Sequence, residues 1–164
     1  MLHHPVSALT AVCHEVTVVV PPDVEGLDLP PGRIHLAHDS RPHEGPLAGL
    51  VAGLVAIDAK WALVAAGDQP GLRPVLLAAM AKIAQGEDVD AVALLEGETL
   101  RPLPCVIRTS RHSTAKSILK SGEGGVRALL EALGTRRVSE VEWRTLDPTA
   151  AWTKDVDVPE DLEG

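Results

Sequence analysis

Asp68 stands at the end of Trp61-Ala-Leu-Val-Ala-Ala-Gly-Asp-Gln-Pro70, an apolar run that stops on one carboxylate. Ala62 to Ala66 shows no alternation, as in a strand covered on both faces. Gly67 permits a sharp turn and Pro70 forbids continuation. Asp68 is therefore expected at the carboxyl edge of a parallel sheet, where open α/β sheets bind ligands. A lone carboxylate there suits a divalent metal carried in by a phosphate substrate.

Two further segments hold chemistry-bearing residues. Asp39-Ser40 precedes Gly45-Pro46-Leu47-Ala48-Gly49, which opens a helix. Its small residues let a ligand lie against the helix start, and the free N–H groups there favour anions or carbonyl acceptors. An ordinary loop and a closely packed helix start explain the same residues. Asp155 and Asp157, two apart, point the same way in an extended segment. With Asp68, one of them completes a metal site of oxygen ligands; a solvated acidic tail is the alternative. The seven histidines show neither an HExxH pair nor zinc spacing with cysteine. Ser110, Ser113 and Ser117 fall at helical spacing without a GxSxG setting, as on a polar helix face.

These residues need a scaffold, and the pattern along the chain supplies an α/β one. Strands are expected at Val16 to Val20, Arg33 to Ala37, Ala62 to Ala66, Asp90 to Leu95 and Leu103 to Ile107, with an edge strand at Val138 to Val141. Helices are expected at Pro46 to Asp58, Pro74 to Gln85, Ser110 to Lys120 and Gly125 to Leu133, with a helix remnant at Pro5 to Cys13. Proline opens the first two of those helices. The tail reads as a loop with a short closing helix. No repeat or linker divides the chain, so residues 1–164 form one domain.

Composition narrows the function classes. Apolar residues make up 45% of 164 residues, enough for a sizeable core. Aromatics make up only 2%, which argues against a base-stacking surface. The net charge of −8 argues against broad binding to a nucleic-acid backbone. Cys13 and Cys105 read as reduced thiols of a cytoplasmic protein. No apolar run is long enough to span a membrane, and the N-terminus lacks signal-peptide character.

Taken together, the segments resemble the molybdenum cofactor guanylyltransferase family and its neighbours, the nucleoside-triphosphate transferases with a Rossmann-like fold. Three motifs carry the resemblance in order: Asp39-Ser40 with Gly45 to Gly49, Asp68-Gln69-Pro70, and Asp155-Val-Asp157-Val-Pro159-Glu160-Asp161. Arg101-Pro102-Leu-Pro looks like the family's strand facing the acceptor. The resemblance implies a three-layer α/β nucleotidyltransferase fold with a mainly parallel sheet. It implies transfer of GMP from GTP to molybdopterin with release of pyrophosphate, and Mg2+ at Asp68. By the same resemblance Asp39, Gly45, Pro46, Leu47, Gly49 and Asp68 face the nucleotide. Arg101, Pro102, Asp155 and Asp157 face the acceptor, with Asp157 also near the metal. The Gly-Asp-Gln-Pro and Asp-Val-Asp forms look closer to the cytidylyl-transferring branch.

The family begins with a strand, a glycine-rich phosphate loop and a lysine that have no counterpart here. Roughly 30–40 residues are expected to be absent, the size of a strand, loop and most of a helix in a βαβ unit. Losing a central strand leaves its neighbours unpartnered, at ~1–3 kcal/mol for each unsatisfied buried group. Three explanations stand: a start assigned at an internal Met, a paralogue that repairs its sheet by rearrangement or as a homo-oligomer, and a processed fragment. Two functional alternatives stay open as well. One is a non-catalytic nucleotide- or partner-binding paralogue. The other is a cytidylyl or sugar-phosphate nucleotidyltransferase.

Overall fold

The structure is a computed structural model that describes residues 2–24, 26–39, 45–122 and 124–154. Six strands and six helices form an α/β/α arrangement among these residues. In chain order they are α1 (His3–Thr10), β1 (Val16–Val20), β2 (Ile34–His38), α2 (Pro46–Ala56), β3 (Trp61–Val64), α3 (Pro74–Gly86), β4 (Ala91–Glu96), β5 (Thr99–Arg108), α4 (His112–Ser121), α5 (Val126–Ala132), β6 (Thr135–Val138) and α6 (Glu140–Arg144). A 3-10 turn at Ala151–Thr153 closes the described part. No helix among the described residues is long and apolar enough to cross a membrane.

The central layer follows from two-residue alternation. On β4, Ala91 and Ala93 join one core with α2, α4 and α5. Val92 and Leu94 join a second core with α3 and α6. Successive side chains of a strand point to opposite faces, so a strand buried on both faces serves both helix layers. Cys105 and Ile107 of β5 face the first core, and Val106 faces the second. The expected three-layer α/β fold is therefore present.

The layer is not one continuous sheet. β1 and β2 form a parallel pair, and β3-β5-β4-β6 form a four-stranded sheet. β5 runs antiparallel to both β3 and β4, while β4 and β6 are parallel. Parallel and antiparallel pairings are thus equal in number, short of the mainly parallel sheet expected. The physical reason is the Gly97 turn, which sends β4 straight back as β5 instead of through a helical crossover.

Between β1 and β3 lies an apolar gap of about 300 Å³, floored and roofed by α1 and α2 through Val6, Leu9, Leu50 and Leu54. Among the described residues β1 and β3 each pair on one side only. Burial of β3 shows the consequence. Only Ala62 is fully buried and the other three positions are intermediate, although the unalternating sequence reads as a strand covered on both faces.

Candidate functional site

The loop after β3 carries Asp68, exposed on a turn. Gly67 there has no positive φ, and a Cβ would stand 2.6 Å from Leu2 Cδ2, the tip of a flexible side chain that can move aside, so the turn does not depend on glycine's conformational freedom. Gln69 turns inward and is 2% exposed. Its Oε1 accepts from the Ala66 N–H at 3.1 Å. Its Nε2 donates to the Leu103 carbonyl at 3.3 Å and the Trp152 carbonyl at 3.5 Å. Gly71 passes so close to the 3-10 turn that a Cβ would lie 2.0 Å from the Ala151 oxygen.

β5 presents the opposite wall, and its two prolines decide how. The β4–β5 register jumps from Ala93↔Cys105 to Leu94↔Arg101. Pairing with β3 ends at Val64↔Cys105. Pro102, Leu103 and Pro104 therefore sit outside both ladders, where a missing proline N–H breaks no ladder bond. Such a bulge bends its strand and re-aims side chains.

Ala66, Asp68, Gln69, Arg101, Pro102, Leu103 and Arg127 line one open crevice of about 320 Å³. Arg101 is braced by Glu96 Oε2 at 3.2 Å and donates to the Thr153 carbonyl at 3.5 Å. Arg127 reaches the crevice from the first turn of α5 and makes no ion pair among the described residues. One carboxylate facing two guanidiniums suits a ligand carrying phosphate groups, with the carboxylate free for a cation. No group of three or more His, Cys, Asp or Glu side chains among the described residues forms a cage for a metal by itself. That donor set fits Mg2+ held by one or two carboxylates plus substrate phosphate oxygens.

The crevice brings Asp68 together with Arg101 and Pro102. Gln69 and Arg127 were missed by sequence reasoning. The Gly-Gly-Val-Arg127 approach to a helix was the available sign for Arg127, and nothing local marks a buried Gln. Asp39 follows β2, its N–H bonded to the Val20 carbonyl at 2.8 Å. Gly45 caps α2 at φ 85°, a conformation suited to glycine, with nothing within 4 Å of an added Cβ. Leu47, expected with Gly45 to Gly49 to shape the nucleotide site, turns its own side chain inward. It is 2% exposed and belongs to the core. The apolar period of α2 turns it inward. Pro46 and Gly49 line the apolar gap, where a Gly49 Cβ would stand 3.9 Å from Val19. Asp155 and Asp157, and Ser40, lie outside the described residues.

The other candidate groups have ordinary structural roles. Ser117 Oγ donates to the Ser113 carbonyl one turn back on α4. His35 lies 3.6 Å from Glu15, and His112 contacts the Thr109 carbonyl. Both cysteines are free, and burial pushes the Cys105 thiol up to about 12, so it stays a protonated core group.

Residues 1–138 match the family described as MobA-like NTP transferase domain. A Chloroflexus aggregans protein named probable molybdenum cofactor guanylyltransferase is 31% identical over 164 residues, covering 99% of this chain and 77% of that protein. A Peptoclostridium acidaminophilum protein of the same name is 33% identical over 110 residues, 64% of this chain and 50% of its own length. Among solved structures, molybdopterin-guanine dinucleotide biosynthesis protein A from Archaeoglobus fulgidus superposes with a TM-score of 0.68 at 22% identity, covering 79% of this chain and 65% of that one. The 2-C-methyl-D-erythritol 4-phosphate cytidylyltransferase of Thermus thermophilus gives 0.69 at 17% identity, over 96% and 82%. At such identities the solved structures establish the fold alone.

Proposed function

The chain belongs to the MobA-like NTP transferase family, and on that premise we propose that it transfers GMP from GTP to molybdopterin, releasing pyrophosphate. The observation that carries the reading is the crevice in which Asp68 faces Arg101 and Arg127. Asp68 would hold Mg2+ brought in with the triphosphate. When bound, that ion neutralises charge on the triphosphate oxygens and on the departing pyrophosphate.

The chain's own residues orient and neutralise. Arg101, fixed by Glu96 and the Thr153 carbonyl, holds the acceptor's terminal phosphate against the nucleotide. Arg127 supplies a second, unbraced guanidinium on the same wall. An oxygen of the acceptor phosphate then forms a bond to the α-phosphorus, and the bond from that phosphorus to the bridging oxygen of pyrophosphate breaks. Asp39 and the Gly45 backbone face the nucleoside end. Rate enhancement comes from positioning and charge neutralisation, with no covalent enzyme intermediate.

The test is pyrophosphate release with Mg2+, molybdopterin and either GTP or CTP. Turnover with GTP that depends on Asp68 supports the reading. Turnover with CTP alone moves the chain to the cytidylyl branch, which the Asp68-Gln69-Pro70 form favours. Saturable GTP binding by calorimetry without turnover replaces transfer with binding alone.

A further inference from the structure

We propose that Gln69 is the positioning residue of the Asp68 site, and this rests on the reading of Asp68 as the metal-holding carboxylate. Asp68 sits on an exposed turn, and among the described residues no hydrogen bond or ion pair holds its side chain. Its position is set by its neighbour. Among the described residues the Gln69 amide bonds only backbone: the Ala66 N–H before Asp68, the Leu103 carbonyl of the β5 bulge, and the Trp152 carbonyl of the 3-10 turn.

The amide fits in one orientation only. Its oxygen must meet the N–H and its nitrogen must meet the two carbonyls, since the reverse would set an oxygen against two oxygens. The Leu103 carbonyl is available because the bulge removes it from both ladders. One buried side chain thereby fixes the Asp68 loop relative to the strand bearing Arg101 and to the turn whose Thr153 carbonyl braces Arg101. Partners that orient a metal-holding group typically matter by ~10–100-fold in metal affinity when removed.

The test titrates Mn2+ into the chain with GTP, reading water-proton relaxation, and measures GTP binding without metal by calorimetry. Gln69→Met, similar in length but without hydrogen bonds, is expected to weaken Mn2+ binding by ~10–100-fold. Metal-free GTP binding should stay within about twofold, which a merely structural role would not preserve. Gln69→Asn keeps both chemistries on a shorter side chain, is expected to show a smaller loss of the same kind, and decides the matter if Gln69→Met does not fold. Mn2+ affinity unchanged in these variants, or metal-free GTP binding lost in parallel, overturns the proposal. Asp68→Asn separates the two readings. If it binds Mn2+ as the unaltered chain does, both fall. If it loses Mn2+ while Gln69→Met does not, only the role of Gln69 falls.

Discussion

Asp68, Arg101 and Arg127 differ in how far their surroundings hold them, and that sets what each substitution should do. Asp68→Ala removes the one carboxylate that the described residues bring to the crevice and is expected to lower kcat by ~10²–10³-fold, the scale for losing one preorganised electrostatic group. Pyrophosphate release measures it, with circular dichroism to show that the exposed turn tolerates the change. Arg127→Ala should act differently, because that side chain is exposed and makes no ion pair among the described residues. It is expected to raise the KM for the acceptor by roughly tenfold, the equivalent of about 1.4 kcal/mol, while the KM for nucleotide holds. Asp68 was legible in the sequence because an apolar run ending on a carboxylate before Pro70 is a local pattern. Arg127 and Gln69 were not, because their roles depend on segments 34 to 83 residues away or on a shared crevice.

Among the elements, those with a strong local signal formed where expected. Val16–Val20 is a β-branched run and a strand with those same bounds. Pro46 and Pro74 open helices α2 and α3. β5 is longer than the expected Leu103 to Ile107, because its prolines lie in a bulge and do not end the strand. The edge strand expected at Val138 to Val141 is instead Thr135–Val138. Ser139 takes the next position as a helix cap, with Glu142 completing a capping box. Hydrogen bonds from the Ser139 hydroxyl and N–H, and then Arg136, hold the Glu142 carboxyl down to about 2. A carboxylate with a lowered folded pKa stabilises the fold fully above its ordinary value of 4.5 and loses that contribution as pH falls toward 2. Ser139→Ala should therefore cost about 1 kcal/mol at pH 7, and the difference should shrink across that acid window in urea titrations. Gly71→Ala tests a second junction. A Cβ 2.0 Å from the Ala151 oxygen must push the 3-10 turn away from the Asp68 loop. The expected loss is ~1–3 kcal/mol, a fall in Tm of roughly 2–4 °C per kcal/mol.

At the scale of the whole molecule, the cores on the two faces of the four-stranded sheet bury their side chains almost completely, and the space between the two sheets stays open. Trp143 and Trp152 pack edge to face at 5.2 Å in the core beneath α3 and α6, and Trp143 Nε1 bonds the Leu95 carbonyl at 2.6 Å. The apolar gap of about 300 Å³ between β1 and β3 has no such filling. The native chain is expected to enhance ANS fluorescence several-fold, since that dye reports accessible apolar surface; fluorescence no higher than that of a well-packed control would mean that the gap closes in solution. By itself the sequence determined the alternation of strands and helices, the edge carboxylate and the family likeness, because strand runs, helix-opening prolines and short motifs are local. Tertiary structure alone decided the split of the sheet, the bulge that aims Arg101, the Gln69 tie and the inward turn of Leu47. Each of those depends on which backbone groups and side chains meet across long stretches of chain, and hydrogen-bond satisfaction and packing are settled only when the layers close.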